Sequence, residues 1–302
     1  MPGQPGIYVE IFLRAPIDEV WRLTQHPAEH QRWDLRFTEI EYLPRPDASE
    51  PQRFIYATRI GFGLAIRGTG DSVGERVAAS GEATSSLRFA SDDPKSLIRA
   101  GSGYWRYIPL AQGVRFFTWY DYGTRFGMLG RMVDRSVFRP LMGWATAWSF
   151  DRLRLWLEDG QSPEASLAWA TVYALARGVV AFVWLWHGLV PKVIARDAAE
   201  RLMLQQTGMP AGLIVPIGIA EIVFGIVVLI AWRSRWPLAA TIGAMLLASV
   251  AVGIRSPQFV SAAFNPVTLN VCVIAFCIVA WIAMRFAPTA RRCLRVQPKE
   301  SA

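Results

Sequence analysis

From residue 7 the chain alternates, with Ile7, Val9, Ile11 and Leu13 on one face and Tyr8, Glu10, Phe12 and Arg14 on the other. A period of two predicts a strand with one buried face. Pro16 and Asp18 then open a short helix through about Thr24, and Pro27 forces a second start, because proline suits a first helical turn and breaks an interior. Strand-like runs follow at 37–43, 53–60, 64–69, 85–90, 103–109 and 114–124, separated by Gly and Asp/Ser turns as in an antiparallel meander. Over 126–158 the period becomes helical, with Val133, Val137, Leu141, Trp144 and Trp148 as an apolar stripe and Pro140 as a bend.

The pattern breaks at Glu158-Asp159-Gly160-Gln161-Ser162-Pro163-Glu164, a polar stretch of linker composition. Beyond it, 168–190, 211–232, 236–254 and 264–284 are apolar over the roughly 20 residues that a helix needs to cross hydrocarbon. The third carries no charge and the second only Glu221, whereas a soluble bundle needs a polar face on each helix. Ala240, Ala244 and Ala248 recur every fourth residue, a spacing that permits close helix approach and that an alanine-rich helix also produces by chance. In the connector 192–210, Val193, Ile194, Ala198, Leu202 and Met203 have helical spacing, which suits a helix along the membrane surface or a lid equally.

Composition sharpens this division. Of 302 residues 52% are hydrophobic and 19% charged, and the charges crowd into the first half, which excludes a wholly soluble chain, a disordered one and a secreted disulfide scaffold. Cys272, Cys277 and Cys293 have no bridge or metal spacing and read as lipid-facing or packing thiols. Residues 1–6 lack the basic and apolar regions of a secretory signal, so the first domain is expected in the cytoplasm.

An even number of spans puts both termini on one side. That side gathers Arg152, Arg154, Arg233, Arg235, Arg285, Arg291, Arg292, Arg295 and Lys299 against Lys192, Arg196, Arg201 and Arg255 on the other, nine to four. The bias predicts a multi-pass protein of the inner (cytoplasmic) membrane with both ends cytoplasmic. It also accounts for the net charge of +8 without a nucleic-acid partner, for which no zinc-finger, RNP or basic-helix pattern is present.

Candidate chemistry is sparse. Placing Arg106, Arg115 and Asp121 outward turns Trp105, Tyr107, Phe116, Thr118, Tyr120 and Tyr122 inward, a lining on which tyrosine hydroxyls could orient an apolar small molecule. A packed aromatic core fits the same pattern. His26 and His30 have helical metal-pair spacing, but Pro27 interrupts them and no third ligand is near; Asp121 beside Tyr120 or Tyr122 is one carboxylate on one strand. Neither 61–63 nor 68–70 completes a phosphate loop, so no metal or cofactor is expected and catalytic residues stay unassigned. Arg131, Arg135 and Arg139 form a basic ridge that suits anionic lipid headgroups or a solvated face.

Two ionisable residues fall inside the spans. Arg177 lies nine residues past the inner end of the first and Glu221 eleven before the inner end of the second, a difference in depth of about 3 Å that allows them to pair. Such a pair serves as a quinone, proton or anion site, or as an interhelical clamp. His187, with Lys192 nearby, reads as a proton relay or as an interfacial anchor beside Trp184 and Trp186.

The order of elements resembles the START-like (SRPBCC) superfamily, which includes polyketide cyclase/dehydrase-type domains. Ala15-Pro16-Ile17-Asp18-Glu19-Val20-Trp21 and His26-Pro27-Ala28-Glu29-His30-Gln31-Arg32-Trp33-Asp34 are similar to its first-helix signature. Further on, Arg177-Gly178, His187-Gly188 and Pro191-Lys192, with Gly218-Ile219-Ala220-Glu221-Ile222-Val223-Phe224-Gly225 and Asn265-Pro266, resemble the DoxX-like four-helix membrane proteins. Together these imply an α+β helix-grip domain over 1–160, its antiparallel sheet around a long C-terminal helix, a linker at 161–166, an all-α four-helix transmembrane bundle over 167–287 and a basic cytoplasmic tail over 288–302. The implied function is binding or presenting a lipid-like or polyketide-like molecule at the bilayer. The alternatives are a membrane subunit of a quinone-linked oxidoreductase complex, supplied with electrons by a redox partner protein, and a cyclase-type enzyme whose product enters the bilayer.

Overall fold

The computed structural model describes residues 6–45, 47, 50–61 and 63–298. Lys299, counted above for topology, Phe62 in the run 61–63 and residues 1–5 of the N-terminal reading lie outside the described residues. The chain forms two compact units, one running to Ser166 and including the residues from Pro288, the other Leu167–Ala287.

In the first unit β1 (Ile7–Leu13) is followed by α1 (Ile17–Gln25) and α2 (Pro27–Trp33). Then come β2 (Glu39–Tyr42), β3 (Gln52–Gly61), β4 (Leu64–Val77), β5 (Ala83–Ala90), β6 (Ile98–Leu110) and β7 (Gly113–Thr124). All seven strands make one antiparallel sheet of order β1-β7-β6-β5-β4-β3-β2, a meander whose last strand returns beside the first. Side chains on β1 alternate so that Val9, Ile11 and Leu13 are buried. The closing helix α4 (Arg139–Asp159) packs on that face, with Phe150 4.6 Å ring to ring from Phe116. This is the helix-grip arrangement that the START-like resemblance implies.

The closing segment begins as α3 (Gly127–Val133), passes through a π-helical turn (Asp134–Phe138) and only then becomes α4. A π turn slips the helix by about one residue, roughly 100° of rotation. The expected apolar stripe is not a core face on either side of this turn. Asp134 is buried instead, while Val133, Val137, Leu141 and Trp144 are exposed, and of the five only Trp148 is buried. Pro140 sits in the first turn of α4, directly after the π turn.

Two further expectations change here. The supposed linker is largely helical, since α5 (Pro163–His187) starts inside it. The buried Arg152 guanidinium donates to the carbonyls of Trp33 (3.0 Å), Arg32 (2.8 Å) and Pro163 (2.9 Å) and to Ser166 Oγ (3.2 Å), joining α2, α4 and the first turn of α5. The tail is not a free basic extension. Glu10 and Leu294 exchange two backbone hydrogen bonds of 2.9 Å along the open edge of β1. Asp151 accepts from the Thr289 N–H at 2.7 Å, and the buried Cys293 Sγ donates to the Ala147 carbonyl at 3.3 Å. Covering an edge strand in this way satisfies backbone groups that otherwise invite intermolecular pairing.

Among the described residues four helices are long and apolar enough to cross a membrane, Pro163–Ile194, Ala211–Ile230, Trp236–Arg255 and Pro266–Phe286, and all but the first turn of the first belong to the second unit. The first is α5 continued by a π-helical segment (Gly188–Ile194). The connecting α6 (Ala198–Gln206) is N-capped by Asp197, and α7 (Ile214–Ile230), α8 (Trp236–Arg255) and α9 (Pro266–Phe286) follow. Polarity is inverted relative to a soluble bundle. Arg177 and Thr241 are buried, while Leu175, Phe182, Ile230, Leu247 and Ile254 face outward.

Close helix approach comes from glycines rather than from the alanine series. Ala240 and Ala248 are exposed, whereas Gly188 and Gly218 meet backbone to backbone, where a Cβ on Gly218 would stand 2.6 Å from the Gly188 carbonyl oxygen. Of the cysteines, Cys277 is buried among the helices and Cys272 is exposed.

Candidate functional site

A cavity of about 300 Å³ lies in the first unit. Its apolar wall includes Phe37, Ile40, Phe54, Ile66, Leu87, Phe89 and Trp105, and Phe138, Leu141 and Met142 of the closing segment line it too. Polar atoms are few: His30 and Arg36 near the end of α2, Tyr56, Thr58, Thr118 and Tyr120 among them.

The sheet register pairs Trp105 with Thr118 and Tyr107 with Phe116, so parity puts all six residues singled out from the sequence on one face. Sharing a face does not bring all six to the cavity. Trp105, Thr118 and Tyr120 line it; Tyr107, Phe116 and Tyr122 do not. The Tyr107 hydroxyl is buried against Thr24 Oγ1 (2.8 Å) and receives a hydrogen bond from Gln25 Nε2 (2.7 Å). Phe116 packs under α4, and Tyr122 donates to Asp134 at 2.8 Å. Burial raises the pKa of Tyr107, of Tyr122 and of Tyr120, so all three are neutral phenols at physiological pH.

The residues missed from sequence lie on α2 and just after it. His30 Nε2 sits 3.0 Å from Asp34 Oδ2, and Arg36 clamps the same carboxylate through Nε (3.0 Å) and Nη2 (2.6 Å). Burial alone would raise the Asp34 pKa, but Arg36 and His30 hold it well below the usual carboxylate range. Burial also lowers His30, outweighing the pull of Asp34, which leaves a neutral imidazole on the cavity wall. The four-residue spacing that marked His26 and His30 reports a helix start; His26 is exposed between α1 and α2. Asp121 is an ion-pair partner rather than an acid–base group, because Arg139 Nη1 lies 2.8 Å away and Arg139 also binds Asp134. The basic ridge is thereby reduced to Arg131 and Arg135.

In the second unit the two intramembrane charges do not pair. Arg177 donates to the carbonyls of Val228 (2.7 Å), Ala231 (2.6 Å) and Ser234 (3.0 Å) and to Tyr173 Oη (3.0 Å), while the Tyr173 hydroxyl donates to the Trp232 carbonyl. It is a cap on the C-terminal end of α7, where unpaired carbonyls and the helix dipole favour a cation. Glu221 pairs with Lys192 instead, Nζ to Oε2 at 3.0 Å, and the same Nζ lies 3.3 Å from Glu200 on α6. Lys192 also approaches the His187 carbonyl at 3.5 Å. The depth estimate failed on register. Gly188 faces Gly218, Leu185 faces Gly225 and Arg177 faces Val228 and Ala231, which puts Glu221 about nine residues, or about 14 Å, from the level of Arg177.

Residues 181–278 match the model of the DoxX-like family. The uncharacterized membrane protein YndG of Bacillus subtilis (strain 168) is 48% identical over 186 residues, 61% of this chain and 69% of that protein. The chain belongs to this family of DoxX-like membrane proteins. The DoxX-like stretch contains Lys192 and Glu221, whereas Arg177 lies just before it. Among solved structures, a STAR-related lipid transfer protein from Xanthomonas axonopodis is 17% identical, with a TM-score of 0.39 over 52% of this chain and 89% of that one. The Zhui aromatase/cyclase from Streptomyces sp. R1128 is also 17% identical, with a TM-score of 0.34 over 49% of this chain and 95% of that one.

Proposed function

We propose that the first unit binds an apolar, lipid-like or polyketide-like molecule and holds it at the bilayer in which the DoxX-like unit is embedded. The observation that carries this reading is the cavity, whose wall is mostly apolar in area, with polar groups that include His30, Arg36 and Tyr120 and also Gln25 and Ser85. Such a lining suits a mostly apolar molecule with a few hydrogen-bonding groups, since an apolar wall supplies affinity and a few placed polar groups supply orientation. The cytoplasm is the proposed side for both ends, on the nine-to-four bias of Lys and Arg.

The test is native mass spectrometry of the full chain in mild detergent, with titration of a fluorescent fatty acid and of a hydroxyanthraquinone. A copurifying apolar molecule, or saturable binding lost in Leu87→Trp and Ile66→Trp, is the expected result. An empty protein that binds neither probe refutes the reading. The alternative, a membrane subunit of a quinone-linked complex, draws on the Lys192–Glu221–Glu200 cluster and predicts that Glu221→Gln abolishes quinone-dependent turnover in membranes.

A further inference from the structure

The closing segment carries an apolar surface that no core explains. Between Phe126 and Trp144 the exposed side chains include Met128 (80% accessible), Leu129 (63%), Met132, Val133, Val137 and Leu141. Isolated exposed apolar residues are ordinary, but a contiguous run on one element marks an interaction surface. Charge identifies the occupant. Arg131 and Arg135 are exposed within the run, and its only carboxylate, Asp134, is buried against Tyr122 and Arg139. A second copy of this chain laid face to face would set arginine near arginine, whereas anionic headgroups over hydrocarbon complement both features at once.

The backbone is built to present this face. Phe126 takes a left-handed conformation at φ +67°, unusual for a residue with a Cβ, and Gly127 continues it at +57°. Arg125 ties the turn down by donating to the carbonyls of Ser91 (2.5 Å) and Asp93 (3.3 Å). Val133, just before the π-helical turn, and Val137, within it, are exposed while Phe138 lines the cavity.

We infer that α3 and the π turn are a monotopic lipid-inserting element, with Met128, Leu129 and Met132 in the acyl boundary and Arg131 and Arg135 at anionic headgroups. Because Leu141 contributes to both the exposed face and the cavity lining, the element is also the ligand's route between bilayer and cavity. That second role rests on the binding function proposed above; insertion does not.

The experiment uses the full chain with Cys272→Ser, reconstituted into phosphatidylcholine vesicles with and without phosphatidylglycerol. NBD is attached at Met128→Cys, at Met132→Cys and, as a control, at Leu110→Cys at the exposed end of β6, with the Cys272→Ser parent treated with the same reagent correcting for Cys277 and Cys293. The expected result is blue-shifted emission quenched by doxyl lipid at 128 and 132 but not at 110. Partitioning should weaken about five-fold for each of Arg131→Glu and Arg135→Glu in anionic vesicles. Solvent-like, unquenched emission at 128 overturns the inference, and so does a blue shift without doxyl quenching, which would mean a protein partner or a second copy. Met128→Glu with Leu129→Glu should slow transfer of a fluorescent fatty acid from vesicles several-fold and leave its affinity in detergent unchanged. If the parent binds no fatty acid at all, the cavity reading fails while the quenching result still decides insertion.

Discussion

Arg177 donates through Nε to the Val228 carbonyl oxygen at 2.7 Å, so a buried guanidinium of the second unit closes the end of a neighbouring helix. A guanidinium suits that place because its planar fork reaches several carbonyls at once, whereas an ammonium is a single point charge. Arg177→Ala should cost about 3 kcal/mol on the scale of hydrogen bonds to charged groups, and Arg177→Lys should recover only part of it. Thermal unfolding of the full chain in detergent reads both.

Lys192 stands between two carboxylates, so removing either changes the other's environment. A double-mutant cycle of Lys192→Met and Glu221→Gln should show coupling of about 1–3 kcal/mol, as expected for groups in one ion-pair network. The same cycle between Arg177→Met and Glu221→Gln should be additive within about 0.5 kcal/mol. Coupling in the second cycle would contradict the register of α5 on α7.

Acid should loosen the first unit through His30. Burial lowers its pKa from the ordinary 6.5, so below that value the unfolded chain takes up a proton that the folded chain resists. The folded state binds fewer protons there, and stability falls as pH drops from about 7 towards 5. His30→Gln, which keeps a donor for Asp34, should flatten that part of a Tm-versus-pH profile. Asp34 acts lower: its depressed pKa contributes stability above 3.8 that is lost on further acidification.

Thiol reactivity should follow burial. Cys272, exposed on the lipid-facing side of α9, should react with a small apolar maleimide in detergent well before Cys293 does. Cys293, on the docked tail and buried against α4 with its pKa raised by burial, should stay unmodified until the first unit unfolds. Peptide mapping after timed labelling distinguishes the two, and early modification of Cys293 would contradict the docked tail.

Much of this architecture could be read from the chain, because period-two and period-3.6 patterns encode which faces are buried. The strands, the two short helices and the four apolar spans all appear near where alternation or continuous hydrophobicity put them. What could not be read depends on events that leave no periodic trace. Val133, Val137 and Leu141 keep helical spacing across the π turn yet face away from the core. Register between α5 and α7 is set by the Gly188–Gly218 contact, which composition alone does not rank above the alanine series. His30 and Arg36 gain their place on the cavity from Asp34, a link visible only once α2 is folded. Parity correctly grouped six aromatic and hydroxyl positions on β6 and β7, but which of them reach open space depends on what α1 and α4 fill first.

The strip of chain around Leu294 completes an edge begun by Glu10, some 284 positions earlier, with all four apolar helices between them. This edge of the first unit therefore stays open until residues some 284 positions further along have been made. Under the proposed topology, a nascent molecule that missed one crossing would strand the segment around Leu294 across the bilayer from its seat and leave β1 bare, so that sealing the sheet would report an even number of insertions.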